Sequence, residues 1–342
     1  MADAAAGASG LEFEPVKCCV LCDGAEQHDA RGVSWHGVPF SYVYCGRCGL
    51  KYMTPRPTEK SYARFYEEAF WQQKLSAVGY ATNAGFDHAD RDQLALRMPK
   101  YEGRYRRIAA HLGRAMRLDG NVSILEVGCA FGFSLEWLRR DFSCRVFGIE
   151  PSERARRRCE AAKISLVGTT AEAVFHGDGA PEASYDAVIF AHSLENIVAP
   201  IGVLEGVGRA LKPGGAVLVY TPNLEYRDSM NPYHPYIYTP ETLARLLARA
   251  GLFAARIEAP PAPTTRAAAV ALVKPSDEIV CIARRAESAD DGSNAPRVDV
   301  RALADRHALG QKARIWADLS TRELVKRTAL QVASDVRRKL GR

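Results

Sequence analysis

The chain has 342 residues, of which 47% are hydrophobic and 25% are charged. These values are typical of a globular protein with one full domain and smaller modules. No apolar run approaches the roughly 20 residues that a transmembrane helix needs, so the composition excludes a protein built around membrane-spanning helices.

The net charge of +6 comes entirely from the C-terminal part of the chain. From Arg284 onward there are 14 Lys or Arg against 8 Asp or Glu, whereas the residues before it carry 32 of each sign. An enzyme that acts on nucleic acid usually has a basic body. The neutral body therefore disfavours nucleic acid as a partner.

The N-terminal residues predict a disordered tail over residues 1–15. The opening MADAAAGASG is small and polar, and it lacks the charged start and apolar core of a secretory signal. We therefore expect a cytoplasmic protein. Its nine cysteines would then stay reduced and would not form a disulfide framework.

Residues 16–57 carry two Cys-x-x-Cys pairs, separated by 22 residues, which predict a small zinc-binding module. The pairs are Cys19-Val-Leu-Cys22 and Cys45-Gly-Arg-Cys48, with Cys18 as an alternative partner of Cys22. Two such knuckles complete a tetrahedral Zn²⁺ site, and four sulfur ligands leave no position for water, so the metal would be structural. It would replace a core that so small a module lacks. The alternatives are four thiols without metal, or redox chemistry by one pair.

Residues 58–118 predict a helical linker or cap. They are aromatic and charged with helical spacing, as in Tyr62, Phe65, Tyr66, Ala69 and Phe70. The two prolines of Thr54-Pro-Arg-Pro57, directly before them, predict a stiff linker.

Residues 119–285 alternate short apolar runs with amphipathic stretches, which is the βαβ pattern of a parallel sheet in an α/β fold. The predicted strands are Ser123–Val127, Val146–Glu150, Ile164–Val167, Ala187–Phe190, Ala216–Thr221, Phe253–Ala259 and Ile279–Arg284. The first runs into a glycine-containing turn, Glu126-x-Gly128-x-x-x-Gly132, before an amphipathic helix. Such a turn lets backbone approach a ligand, while helix N–H groups point at it. The second strand ends in Glu150, where a carboxylate can accept hydrogen bonds from ribose hydroxyls.

Residues 286–342 predict a linker and a basic helical extension. Ser320-Thr-Arg-Glu323 fits a capping box, and apolar residues then fall on one face of a helix. This helix would pack against the main domain, attach to an anionic membrane surface, or contact a partner protein. The sequence does not determine the oligomeric state.

The patterns around the fourth and fifth strands distinguish the glycine turn from that of dinucleotide enzymes. They run over Ser184–Asn196 and Leu211–Asn223. With Glu126 ahead of the first glycine, they resemble the class I S-adenosylmethionine methyltransferase family over about residues 99–285. The resemblance implies a Rossmann-like seven-stranded methyltransferase sheet, with S-adenosylmethionine as methyl donor.

The family's cofactor residues carry over to the ends of four strands. They are Glu126, Gly128, Cys129, Ala130 and Gly132 in the turn, Glu150 and Pro151 after the second strand, Ala171 and Glu172 after the third, and Ala191 and His192 after the fourth. The resemblance implies that Glu150 holds the ribose, that Ala171 and Glu172 lie near the adenine, and that Ala191 and His192 lie beside the methionine tail and the methyl group. Ala130 replaces a frequent glycine, a mild change provided that this residue avoids positive φ.

The N-terminal part resembles the start of bacterial methyltransferases with a zinc-binding N-terminal domain, through Tyr44–Pro57 and then Tyr62, Phe65 and Tyr66. That group includes sugar C-methyltransferases and members associated with surface-polysaccharide biosynthesis. The resemblance implies a small-molecule acceptor that is a sugar, a nucleotide-sugar or a glycan. An rRNA methyltransferase with a zinc ribbon and a non-catalytic zinc-ribbon scaffold are the alternatives.

Two histidines are candidates for the base that removes a proton from the acceptor. His192 follows the fourth strand, and His234 lies in the insert after the fifth strand. His234 matches a histidine of the sugar C-methyltransferases, but those relatives usually have Glu directly before it, where this chain has Tyr233.

Overall fold

A computed structural model describes residues 11–35, 38–68, 88–176, 180–224, 233–259 and 278–285. It contains a seven-stranded sheet with helices packed against it, and a four-stranded sheet built mainly from N-terminal residues. None of the described helices is both long and apolar enough to cross a bilayer.

The strands and helices are numbered in chain order. The strands are β1 Phe13–Glu14, β2 Gln27–Trp35, β3 Val38–Cys45, β4 Lys51–Thr54, β5 Arg56–Pro57, β6 Ser123–Val127, β7 Arg145–Ile149, β8 Ser165–Gly168, β9 Tyr185–Ala191, β10 Leu211–Pro222, β11 Tyr236–Ile237, β12 Leu252–Glu258 and β13 Glu278–Arg285. The helices are α1 Glu59–Glu68, α2 His88–Ala115, α3 Phe133–Phe142, α4 Glu153–Ala161, α5 Ala171–Phe175, α6 Pro200–Ala210 and α7 Pro240–Arg249, and Leu194–Asn196 form a short 3₁₀ turn.

The seven-stranded sheet has the order β12-β13-β10-β9-β6-β7-β8, and β13 runs antiparallel to both of its neighbours. All seven predicted strands are confirmed, and the central strands β9 and β10 contain the continuous apolar runs that are typical of strands covered on both faces. The chain leaves β6 toward β7 and β8 and then returns to β9 on the other side of β6. This reversal is a topological switch point, where α/β sheets bind ligands at the carboxyl ends of their strands.

The four-stranded sheet has the order β11-β4-β3-β2, and all its neighbours are antiparallel. Three of its strands come from the N-terminal region, but β11 comes from the insert that follows β10. The core is shared in the same way, because Leu50 and Tyr52 belong to one buried cluster with Ile197 and Leu243 of the large domain. The N-terminal region therefore shares both a sheet and a buried core with the large domain.

The predicted disordered tail over residues 1–15 extends too far, because residues 11–14 are ordered. Leu11 is buried against Tyr62, Phe65 and Val198. Strand β1 pairs with β5, so the predicted stiff linker contains a short strand. The burial of Leu11 depends on tertiary structure, because its pocket is formed by residues far away in sequence.

Several predictions lie outside the described residues. They are the tail over residues 1–10, the helical positions of Ala69 and Phe70, and the extension over 286–342 with its proposed membrane or protein contact.

Candidate active site

The turn after β6 requires glycine at two positions. Gly128 and Gly132 both have φ of 72°. A Cβ at Gly132 would lie 2.4 Å from Cδ1 of Ile164, and a Cβ at Gly128 would lie 2.9 Å from Cβ of Ser193. Both the conformation and the close contacts therefore disfavour a side chain at these two positions, and the backbone can approach a ligand.

Ala130 also adopts the left-handed conformation, with φ of 49°. The expected condition for a mild change, that this residue avoids positive φ, is not met. In this conformation its N–H donates a hydrogen bond of 2.8 Å to Oε2 of Glu150. Left-handed backbone costs a residue with a Cβ roughly 1–2 kcal/mol, so the turn is maintained at some expense of stability.

Glu150 follows β7 directly and is buried, with 5% of its surface exposed. Its Oε2 accepts from the N–H of Ala130, and its Oε1 accepts from the N–H of Ser152 at 2.9 Å. The carbonyl of the adjacent Pro151 accepts from the Arg156 guanidinium. The Glu150 carboxylate is therefore held in a defined orientation next to the glycine turn.

Glu126 lies on β6 with 4% of its surface exposed. Its Oε2 has no hydrogen-bond partner among the described residues. Burial raises the pKa of Glu126 to about 8, although the nearby charge of Arg104 acts in the opposite direction. A buried carboxylate oxygen is costly unless it is paired, so this group suits a cationic or hydrogen-bond-donating part of a ligand.

The other residues predicted to bind the cofactor, Cys129, Ala171 and Ala191, are buried. The Cys129 thiol is buried and lies 4.0 Å from that of Cys159. Ala171 begins α5, whose N-cap Thr170 accepts a hydrogen bond from the N–H of Ala173 at 3.1 Å. Ala191 is buried at the end of β9.

Glu172, the other residue predicted near the adenine, is engaged within the protein. Its Oε1 accepts from the N–H of Val198 at 3.3 Å, and burial raises its pKa. The structure thus places the predicted cofactor residues in turns at the carboxyl ends of β6 to β9, with Glu126 on β6 itself.

His192 lies between two carboxylates. Its Nε2 is 2.7 Å from Oε1 of Glu278, and its Nδ1 is 3.5 Å from Oε1 of Glu195. Burial by itself would lower the pKa of His192, but the hydrogen bonds to both carboxylates raise it above its ordinary value. Arg107 also pairs with Glu278, at 2.7 Å. An imidazole whose two nitrogens both face carboxylates is stabilised as a cation, which disfavours His192 as a proton acceptor.

Sequence reasoning missed Glu195 as a site residue. It lies in the 3₁₀ turn after β9 with 1% of its surface exposed, and its Oε2 has no hydrogen-bond partner within the part of the chain that the structure describes. Burial favours a high pKa, but the hydrogen bond with His192 and the charges of His192 and His234 lower the pKa below its ordinary value. Its position three residues after a candidate histidine was the available signal.

His234 is half-buried, and its charge acts on Glu195. Its main-chain carbonyl accepts a hydrogen bond from the Tyr42 hydroxyl, and the carbonyl of Tyr233 accepts one from the Tyr62 hydroxyl. The structure therefore brings His234 close to the 3₁₀ turn that carries Glu195.

Helix α1 lies near both the predicted cofactor residues and the insert that carries His234, since Tyr66 and Tyr233 pack against the same buried cluster. The charges of Glu195, Tyr233 and Glu150 all act on Tyr66, whose pKa is raised mainly by burial. Arg156 of α4 pairs with Glu67 of α1 at 3.4 Å. Tyr66 thus lies between the two parts of the site.

The four cysteines of the predicted zinc module form one cluster. Their sulfur atoms all lie within 4.8 Å of one another, with 3.6 Å between Cys19 and Cys48 and 3.5 Å between Cys22 and Cys45. A tetrahedral zinc ion with bonds of about 2.3 Å holds its sulfur ligands about 3.8 Å apart, so the donor set fits this metal. Cys18 is exposed and lies outside the cluster, so the alternative pairing with Cys22 is not supported.

Comparison with known proteins gives a family match for the central part of the chain. Residues 98–254 match a family model described as a methyltransferase domain. A ubiquinone biosynthesis O-methyltransferase of Vibrio cholerae serotype O1 is 32% identical over 106 residues, which is 29% of this chain and 42% of the relative.

Two further similarities extend over other shares of the chain. A Mycolicibacterium smegmatis protein named "Probable S-adenosylmethionine-dependent methyltransferase" is 31% identical over 136 residues, which is 37% of this chain and 51% of the relative. The geranyl diphosphate C-methyltransferase of Streptomyces coelicolor A3(2) superposes with a TM-score of 0.46 at 15% identity, covering 66% of this chain and 98% of that chain. The chain spans about half or less of the curated relatives it matches. Residues 98–254 are thus similar to a methyltransferase domain, and the large sheet with its helices has the Rossmann-like fold of such domains.

Proposed function

We propose that this protein transfers a methyl group from S-adenosylmethionine to a small-molecule acceptor, which is a sugar, a nucleotide-sugar or a glycan. One observation supports the cofactor most strongly. Glu126, the Gly128–Gly132 turn and Glu150 come together at the switch point of the parallel sheet, with two glycines that exclude side chains.

The residues present fit this cofactor. Glu150 would accept hydrogen bonds from the ribose hydroxyls, because its carboxylate is already oriented by two backbone N–H groups. Glu126 would use its buried, unpartnered oxygen for the cationic methionine end. Ala171 and Glu172 would lie near the adenine, and Ala191 near the methionine tail. When bound, the cofactor supplies a methyl group activated by a sulfonium.

His234 is the proposed base on the acceptor side. Methyl transfer needs alignment of the acceptor with the methyl group, and a hydroxyl or acidic-carbon acceptor must also lose a proton. His192 is less suited, because both of its ring nitrogens face carboxylates. His234 lies near Glu195, whose lowered pKa keeps it ionised, and a neighbouring carboxylate would stabilise the imidazolium that forms.

Three observations support the acceptor class. The relative from Vibrio cholerae is named as acting in ubiquinone biosynthesis, which agrees with a small molecule. The resemblance of the N-terminal region to sugar methyltransferases favours a sugar, and the neutral charge before Arg284 argues against rRNA. We further propose that Cys19, Cys22, Cys45 and Cys48 hold a structural Zn²⁺.

Titration calorimetry with S-adenosylhomocysteine tests the cofactor proposal. The wild-type protein should bind it, and Glu150→Ala should weaken binding about 100-fold, because two hydrogen bonds to a charged group are lost. Glu153→Ala is the matched control, since Glu153 lies three residues away and pairs with Arg157. Equal affinities for the Glu150 and Glu153 variants would contradict the ribose assignment, and a wild-type protein that does not bind would contradict the function.

Methyl transfer can then be measured as release of S-adenosylhomocysteine over a panel of nucleotide-sugars. Turnover of at least one sugar that His234→Gln lowers by 100-fold or more would support the acceptor class and the base. Such losses are typical of general bases. Turnover of ribosomal RNA in place of sugars would contradict the acceptor class.

A further inference from the structure

The insert that carries His234 is attached to the zinc module by main-chain pairing. Strand β11 pairs antiparallel with β4, so that Tyr236 lies opposite Tyr52. Just before this strand, the carbonyl of Pro235 accepts from the N–H of Met53 at 2.8 Å. The backbone that follows His234 therefore extends the sheet of the zinc module.

Two tyrosine hydroxyls from the N-terminal region hold the backbone at His234 itself. Tyr42 of β3 donates to the carbonyl of His234, and Tyr62 of α1 donates to the carbonyl of Tyr233. Both tyrosines are buried, and each lies more than 170 residues from its partner in sequence. The ring of Tyr233 also stacks on Phe65, with centroids 5.4 Å apart.

We propose that Tyr42 and Tyr62 are positioning residues, which fix the backbone at residues 233–234 and thereby orient the His234 imidazole toward Glu195 and the acceptor. The direction of a side chain follows from the backbone that carries it, so consecutive carbonyls held by buried hydroxyls restrict where the imidazole points. This inference rests on the proposed role of His234 as base.

The cysteine cluster belongs to the same arrangement. Strand β3, which carries Tyr42, ends at Cys45, and β4, which pairs with the insert, begins at Lys51 after Cys48. The Cys45–Cys48 turn thus joins the two strands that hold residues 234–237. A metal in the cluster would stabilise this hairpin. The zinc module would then form one side of the proposed acceptor site.

Hydrogen exchange of the free protein tests the positioning without any acceptor. Tyr42→Phe should accelerate exchange of the amides of residues 236–238 about fivefold or more, which is the effect of losing a hydrogen bond of typical strength. Exchange in β7 and the affinity for S-adenosylhomocysteine should stay within twofold of wild type. Tyr105→Phe is the matched control, because it also removes a tyrosine hydroxyl bond, to Asp141 at 2.5 Å.

The imidazole resonances of His234, assigned with His234→Gln, give a second measurement. Tyr42→Phe should shift or broaden them, and Tyr105→Phe should not. If Tyr42→Phe does not fold, Tyr62→Phe tests the neighbouring carbonyl in the same way. Wild-type exchange over residues 236–238 together with unchanged His234 resonances would overturn the proposal.

Kinetics separate positioning from a purely structural role. With an acceptor that the wild-type protein methylates, Tyr42→Phe should lower kcat at least tenfold and leave KM for S-adenosylmethionine within twofold. An unchanged kcat would overturn the proposal. If the wild-type protein methylates none of the acceptors, that failure counts against the proposed function, and the exchange measurement still decides whether Tyr42 fixes the insert.

Discussion

The two halves of the candidate site are built in different ways. The cofactor half comes largely from one continuous stretch, residues 126–150, in which two adjacent strands and the turn between β6 and α3 carry its main groups. The acceptor half is assembled from three distant segments, residues 42–66, 192–195 and 233–238. A site within one segment can be recognised from the spacing of its residues. A site assembled from several segments depends on contacts between elements that are far apart in sequence.

The largest expected effect concerns the four-cysteine cluster beside the acceptor half. We expect about one zinc ion per chain and its loss in Cys45→Ser, together with a large fall in thermal stability. Structural zinc sites contribute on the order of 10 kcal/mol to folding, and here the cysteines share a core with the large domain. Metal analysis and thermal denaturation measure both quantities. Cys18→Ser is the control, because Cys18 is exposed and outside the cluster, and equal losses in both variants would contradict the ligand set.

Gly132→Ala should disrupt the cofactor half next most strongly. The new Cβ would meet Ile164 at 2.4 Å and would also take a left-handed conformation, so we expect a loss of about 3 kcal/mol in unfolding free energy and no measurable cofactor binding. Gly214→Ala separates the effect of the left-handed conformation from that of the steric contact, because Gly214 has φ of 77° but open space around it. Its expected loss is about 1 kcal/mol with normal binding. Equal losses in denaturant titrations would mean that steric contact at Gly132 is unimportant.

The buried Glu126 predicts a pH dependence of the cofactor half. Its pKa is raised from 4.5 to about 8 in the folded protein, so the folded state binds more protons than the unfolded state between these values. The unfolding free energy should therefore fall as pH rises through this window. Cofactor affinity should rise over the same window, by up to about tenfold per pH unit below 8, if the ionised carboxylate receives the cationic methionine end.

Thermal denaturation and calorimetry between pH 5.5 and 7.5 measure both effects of Glu126. The Glu126→Gln variant should lose the part of both dependences that Glu126 contributes, because the amide does not titrate in this range. Parallel curves for wild type and variant would show that another group controls the pH response.

The smallest expected effect is a gain in stability at Ala130. Because Ala130 has φ of 49°, Ala130→Gly should relieve the left-handed strain and raise the unfolding free energy by up to about 1 kcal/mol. The N–H of residue 130 should still donate to Glu150, so cofactor affinity should change little. A denaturant titration measures the gain, and a clear loss would indicate that the methyl group of Ala130 has a packing role.

The cofactor half also shows which site residues can be predicted from the spacing of residues in the sequence. Glu126, Gly128, Gly132 and Glu150 were predictable because a buried strand, a tight turn and a helix each have a local signature. The conformation of Ala130 was not predictable, since its positive φ accompanies a hydrogen bond that its N–H donates to Glu150, which follows the neighbouring strand.

The sequence by itself determined the seven strands of the large sheet, the cofactor turn and the two cysteine pairs, because these depend on residue patterns within single elements. Tertiary structure alone decided that Leu11 is buried, that His192 lies between Glu195 and Glu278, and that Tyr42 holds His234. Each of these contacts joins elements that are far apart in the sequence, and the local preferences of residues for helix or strand do not predict such contacts. They form because apolar burial and the pairing of buried polar groups are satisfied over the whole fold at once.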